Sequence, residues 1–131
     1  MFKSFIMVVV LSLLFPSETG DYSGVIRSQG YAPSSEPVEI VEVHIPAEWD
    51  NVYNNYNALQ KEGGFDLEPW KGRTCTRYTY LIPEHNARGN VLVYSGVVIG
   101  GDICSITLDG IMLPLDKKKV TWCRVQRPGA P

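Results

Sequence analysis

Trp49, Val52, Tyr53, Tyr56 and Leu59 recur at i, i+3, i+4, i+7 and i+10, a single apolar stripe at helical period. The spacing predicts an amphipathic helix over 47–62. Pro46 suits its first position, where a missing N–H costs nothing. Glu48 and Asp50 in the first turn and Lys61 near the last run in the order the helix dipole favours. Gly63 and Gly64 follow as a left-handed C-terminal cap. Asn54, Asn55 and Asn57 fall opposite the stripe and are expected to face water.

Elsewhere the period changes to two. Residues 38–45 put Val41, Val43 and Ile45 on one side and Glu42 and His44 on the other. In 73–82, Tyr78, Tyr80 and Ile82 alternate with Arg73, Cys75 and Arg77. Two further runs, 90–94 and 97–101, flank Ser95-Gly96, a two-residue hairpin signal, and 106–113 reads as an extended end. Residues 21–30 hold a short helical candidate closed by Gly30, and 83–89 read as a loop. The pattern predicts an α+β fold: one amphipathic helix packed on an antiparallel sheet of about four strands, with a short N-terminal helix.

One strand is interrupted where it should be most regular. In VVIGGDICS (97–105), Gly100, Gly101 and Asp102 separate Val97-Val98-Ile99 from Ile103. Val97, Ile99 and Ile103 share a parity, whereas Ile106 and Leu108 have the other. A β-bulge between Ile103 and Ile106 would bury both sets. The glycines then let a bulky neighbour such as Trp49, Tyr53 or Tyr56 approach the backbone. Asp102, opposite in parity to Ile99 and Ile103, is expected to point away from that core. The alternative is a ligand or partner site formed by Gly100, Gly101 and Asp102 with Tyr78 and Arg77.

The chain has 131 residues, which suits one domain. Its first residues, MFKSFIMVVVLSLLFPSETG, combine Lys3, an apolar run over 5–15 broken only by Ser12, and Pro16. Residues 1–20 therefore read as a signal peptide or an N-terminal tether, and the protein as extracytoplasmic, secreted or tethered. The apolar run is about half of what spans a bilayer, so contact with a membrane is expected only through this segment if it is uncleaved. Residues 21–113 form the single domain. Residues 114–131 are a basic extension, either disordered or an edge strand, with five basic residues against Asp116. The net charge of −2 thus leaves −6 on residues 1–113. An acidic body lacks the basic footprint that nucleic acid requires.

Candidate chemistry is sparse. Cys75, Cys104 and Cys123 show no C-x-x-C spacing, and with His44 and His85 they are too few for a metal site. Cys75 or Cys104 with His85 is the only nucleophile–base combination available. Asp102 with Asp109 falls short of a calcium ligand set. No phosphate-cradling glycine loop and no cofactor motif occurs. No residue is assigned a catalytic role.

Four motifs occur together: Tyr-Asn-x-Leu-Gln-Lys at the helix end (56–61), Gly-Phe-Asp-Leu (64–67), Lys-Gly-(x)₄-Arg-Tyr-Thr-Tyr (71–80) and Gly-Gly-Asp-Ile (100–103). In this combination residues 25–113 resemble domain of unknown function 4830, a family of small exported or membrane-anchored proteins of Gram-positive, clostridia-like bacteria. The resemblance implies the compact α+β fold and an extracytoplasmic location, and brings no activity with it. The function expected is therefore a non-catalytic module that binds a protein or cell-envelope ligand. The alternatives are an enzyme with a non-obvious site and a structural or regulatory envelope protein. A deep pocket around Asp102, Tyr78 and Arg77 would favour catalysis, and a flat aromatic face would favour binding.

Overall fold

The computed structural model describes residues 20–107 and 110–120. Five antiparallel strands form one sheet in the order of the chain: β1 (Glu39–His44), β2 (Thr74–Ile82), β3 (Ala87–Tyr94), β4 (Val97–Ser105) and β5 (Met112–Pro114). The fold is α+β as expected, with five strands rather than four. The extra strand, β5, spans the last residues of the extended end and the first of the expected extension, and pairs Met112, Leu113 and Pro114 with Cys104, Ile103 and Asp102. Ser95 and Gly96 both take positive φ, 49° and 78°, and close the β3–β4 hairpin tightly.

The sheet is buried on both faces. Helix α1 (Ser23–Ser28) lies over one, where Val25 and Ile26 pack with Tyr78, Tyr80, Ile82, Val91 and Val93. The Ile26 side chain fills the space beside Gly89, where a Cβ would collide with it. Helix α2 (Asn51–Glu62) serves the other face, whose core is Ile45, Leu67, Cys75, Leu92 and Ile99. The packed body runs on past Leu113, because Leu115 and Val120 are both buried in the α1-side core. Residues 1–19 and 121–131, where the expected leader and most of the expected basic extension fall, lie outside the described residues, as does Asp109.

Helix α2 starts later than the stripe suggests. Asp50 is its N-cap, with the carboxylate accepting from the Tyr53 N–H at 3.0 Å. Pro46, Glu48 and Trp49 therefore precede the helix, and the Trp49 indole N–H donates to the Pro46 carbonyl at 2.9 Å. Its buried face is also rotated from the apolar stripe. Val52 is 74% exposed, whereas Asn57 and Gln60 are 5% and 1% exposed. Asn57 accepts from the Leu67 N–H at 2.7 Å and donates to Asp66 at 2.9 Å, so it pins the return loop instead of facing water. At the C-terminal end Gly64 takes the left-handed conformation, φ 95°. Gly63 answers a different need: a Cβ there would run into the Leu115 carbonyl.

The strand irregularity also sits elsewhere. The β3–β4 register shifts between Leu92 and Val93, where Leu92 pairs with Gly100 and Val93 with Val98. Ile99 is therefore the extra residue of the bulge. Ile99 then joins the α2-side core while Ile103 joins the α1-side core. The slip thus falls before the glycines, and Ile106, the reason for expecting a later one, is exposed.

Candidate functional site

The residues singled out from the sequence separate onto the two faces. Tyr78 lies on the α1 side with its ring against Tyr22, centroids 4.7 Å apart. Arg77 alternates with Tyr78 along β2 and so faces the α2 side, where it meets Glu39 at 2.9 Å. Its Nε is buried without a hydrogen-bond partner.

Asp102 also faces α2, and it points into the fold rather than away from it: the residue is 2% exposed. The bulge at Ile99 reverses the parity that had turned it outward. The Tyr56 hydroxyl donates to Asp102 Oδ2 at 2.6 Å, and Asn90 Nδ2 donates to Oδ1 at 2.9 Å. Thr79 in turn donates to Asn90 Oδ1 at 2.7 Å. These groups sit on one transverse row of the sheet, in which Thr79 pairs with Asn90 and Asn90 with Asp102. Burial pushes the Asp102 carboxyl above its ordinary range, although the bonds from Tyr56 and Asn90 and the Arg77 charge pull it down. Burial, with the adjacent carboxylate, also pushes the Tyr56 phenol far up, so it stays a donor. Chemically, this arrangement is a filled buried network that fastens α2 to the sheet. Both Asp102 oxygens are already engaged by neighbouring side chains.

Gly100 and Gly101 are close-approach positions, as expected, but their neighbours differ from those expected. A Cβ on Gly100 would lie 2.7 Å from Gln60 Oε1 and 3.3 Å from Leu67 Cδ2. On Gly101 it would strike the Asn90 carbonyl oxygen and lie 2.6 Å from Leu115 Cδ1. Apolar periodicity does not single out Gln60, because glutamine on a helix ordinarily marks solvent. Its position in the Tyr-Asn-x-Leu-Gln-Lys motif was the available signal.

The cysteine–histidine combination has no support in the geometry. Burial pushes the thiols of Cys75 and Cys104 up, away from the thiolate a nucleophile needs. The His85 ring packs edge-on against Tyr31 at 5.4 Å. Among the described residues no cluster of His, Cys, Asp and Glu could hold a metal ion, and no helix is long and apolar enough to cross a membrane. A shallow groove of about 650 Å³ lies between Lys61–Gly64 and Pro114–Lys118. None of the five singled-out residues lines it.

The α2 side carries a second feature, a belt of half-buried aromatic rings packed on the Ile45–Leu67–Leu92 core. Trp49 stacks on Tyr53 at 5.3 Å, and Tyr53 meets Tyr56 edge-on at 6.1 Å. Trp70 lies 5.0 Å from Tyr94. Two cations join the rings: Lys71 Nζ sits 4.4 Å from the Trp49 centroid, and Arg73 lies 5.6 Å from that of Tyr94. Arg73 also donates to the Tyr94 hydroxyl at 3.1 Å. The signal was present in the sequence, but Trp70 and Tyr94 lie on a turn and a strand far from the helical stripe.

No curated protein and no solved structure matches this chain. The family model described as a domain of unknown function, DUF4830, matches residues 26–103, from α1 through β1, α2 and the β2–β4 meander up to Ile103. That span includes the helix, the aromatic belt and the glycine pair with Asp102, and the chain belongs to this family.

Proposed function

We propose that the protein is an exported, non-catalytic binding module that recognises a protein or cell-envelope ligand through its aromatic belt. The observation that carries this reading is the half-exposure of Trp49, Tyr53, Trp70 and Tyr94 on one side of the sheet, with Lys71 and Arg73 among them. Rings held by a packed core lose little conformational freedom on binding, and Trp, Tyr and Arg dominate the energetics of recognition surfaces. The filled network at Asp102 supports the non-catalytic half of the reading, since a reacting group needs space beside the carboxylate. Export rests on the apolar run after Lys3.

The test is retention of the purified full chain on envelope fragments of its native host, measured by co-sedimentation. Replacing Trp49 and Trp70 by alanine together should lower retention about tenfold or more, with Val97→Ala as an exposed control. Equal retention of all three proteins would overturn the reading.

A further inference from the structure

Two strand edges bound the sheet, and they differ. The β5 edge is three residues long and ends in Pro114. Just beyond it, the Gly101 backbone is closed off by Gln60. The β1 edge is six residues, Glu39–His44, paired with β2 in an unbroken register. It contains no proline and no bulge. Antiparallel pairing engages the backbone groups of alternate residues, so the remaining N–H and C=O groups of β1 point outward along the edge.

The charged side chains of the edge strand and of the residues just before it are acidic. Residues 36–44 include Glu36, Glu39 and Glu42 and neither Lys nor Arg. Glu39 pairs with Arg77, while Glu36 and Glu42 make no ion pair among the described residues. Beside them Ile40, Val41 and Val43 are half-buried and supply apolar contact.

We propose that β1 is a docking edge for a basic extended segment of a partner protein, which adds to the sheet as a further strand. Main-chain hydrogen bonds would supply affinity and the acids selectivity. A second copy is a poor occupant, because antiparallel β1–β1 pairing would bring two sets of glutamates together. The basic run Lys117–Lys119 is held elsewhere by its backbone: the Lys117 N–H bonds to the Gly63 carbonyl, and the Lys118 and Lys119 N–H groups bond to Asp116. This surface is separate from the aromatic belt, so either proposal can fail alone.

The probe is a capped synthetic peptide of about eight residues alternating lysine and threonine, titrated into the full chain by calorimetry. Two control peptides replace its lysines by glutamate or its central threonine by proline. The lysine peptide should bind, more weakly at high salt, and should slow amide exchange in β1. Both controls should fail to bind. Glu42→Lys, an exposed change, should weaken binding about tenfold or more while Val97→Ala, exposed at the β3–β4 hairpin, leaves it unchanged. Failure of the lysine peptide to bind overturns the proposal. So does equal binding of the proline peptide, which would mean charge attraction without strand addition. Insensitivity to Glu42→Lys would overturn it as well.

Discussion

Gln60 completes the edge of β4 at Gly101: its Oε1 accepts from the Gly101 N–H and its Nε2 donates to the Gly101 carbonyl, both at 2.9 Å. A side-chain amide thereby does what the next strand would do, beside the bulge and short of the reach of β5. Gln29 repeats the device at Asp116, whose N–H and carbonyl it engages at 2.9 and 3.3 Å. Gln60→Ala leaves two buried backbone groups without partners and should cost about 2–4 kcal/mol. Gln60→Glu keeps the acceptor but loses the donor and buries a charge, so it should rescue little. Urea melts of the two variants check this. A loss under about 0.5 kcal/mol for Gln60→Ala would place the Gly101 groups in water instead.

The buried face of α2 sets a second expectation. Asn57→Ala removes the acceptor of the Leu67 N–H and the donor to Asp66, and should cost about 1–3 kcal/mol. Val52→Ala, on the exposed flank, should stay within about 0.5 kcal/mol. The order is the reverse of what hydrophobicity suggests, and denaturant melts of both variants decide it.

The reversal shows where sequence reasoning reached and where it stopped. Periodicity located α2, and alternation located β1 and β2 with Tyr78, Tyr80 and Ile82 opposite Cys75 and Arg77. Those signals are apolar and local. Asn57, Gln60 and Asp102 are buried because backbone groups and hydroxyls distant in sequence satisfy them, and no local pattern encodes that. The bulge at Ile99 had the same effect: one extra residue reversed the facing of Asp102 relative to its parity. The aromatic belt was half legible, since the helical stripe named Trp49, Tyr53 and Tyr56 but could not join them to Trp70 and Tyr94.

Asp102 gives a pH dependence of unusual sign for a carboxylate. Its carboxyl is raised in the folded protein, chiefly by burial, so folding favours the protonated form. The stability associated with it is fully present below the unfolded carboxyl range and is lost as pH rises through the folded pKa. Asp66 and Glu84 are lowered by hydrogen bonds and act the other way, but they are common to the parent and to Asp102→Asn. The stability of the parent minus that of Asp102→Asn should therefore grow as pH falls. Melts across mildly acidic pH measure the difference, and a flat or shrinking one would refute burial as the dominant influence on Asp102.

The glycine pair provides the last expectation, because its two obstacles differ in kind. At Gly100 a Cβ would press on Gln60 Oε1 and Leu67 Cδ2, both ends of side chains. Those atoms can shift, though moving Gln60 weakens its hold on Gly101. At Gly101 a Cβ would strike the Asn90 carbonyl, which belongs to the neighbouring strand and cannot move without breaking the β3–β4 ladder. Leu115, on the α1 side, blocks the remaining space. Gly101→Ala should therefore be the more damaging change, costing about 3 kcal/mol or more against about 1–2 kcal/mol for Gly100→Ala. Gly96→Ala, where nothing lies within 4 Å, serves as a control for the strain of positive φ alone. If Gly101→Ala melts with the Gly96→Ala control, backbone conformation rather than the close approach of Asn90 dictates glycine there.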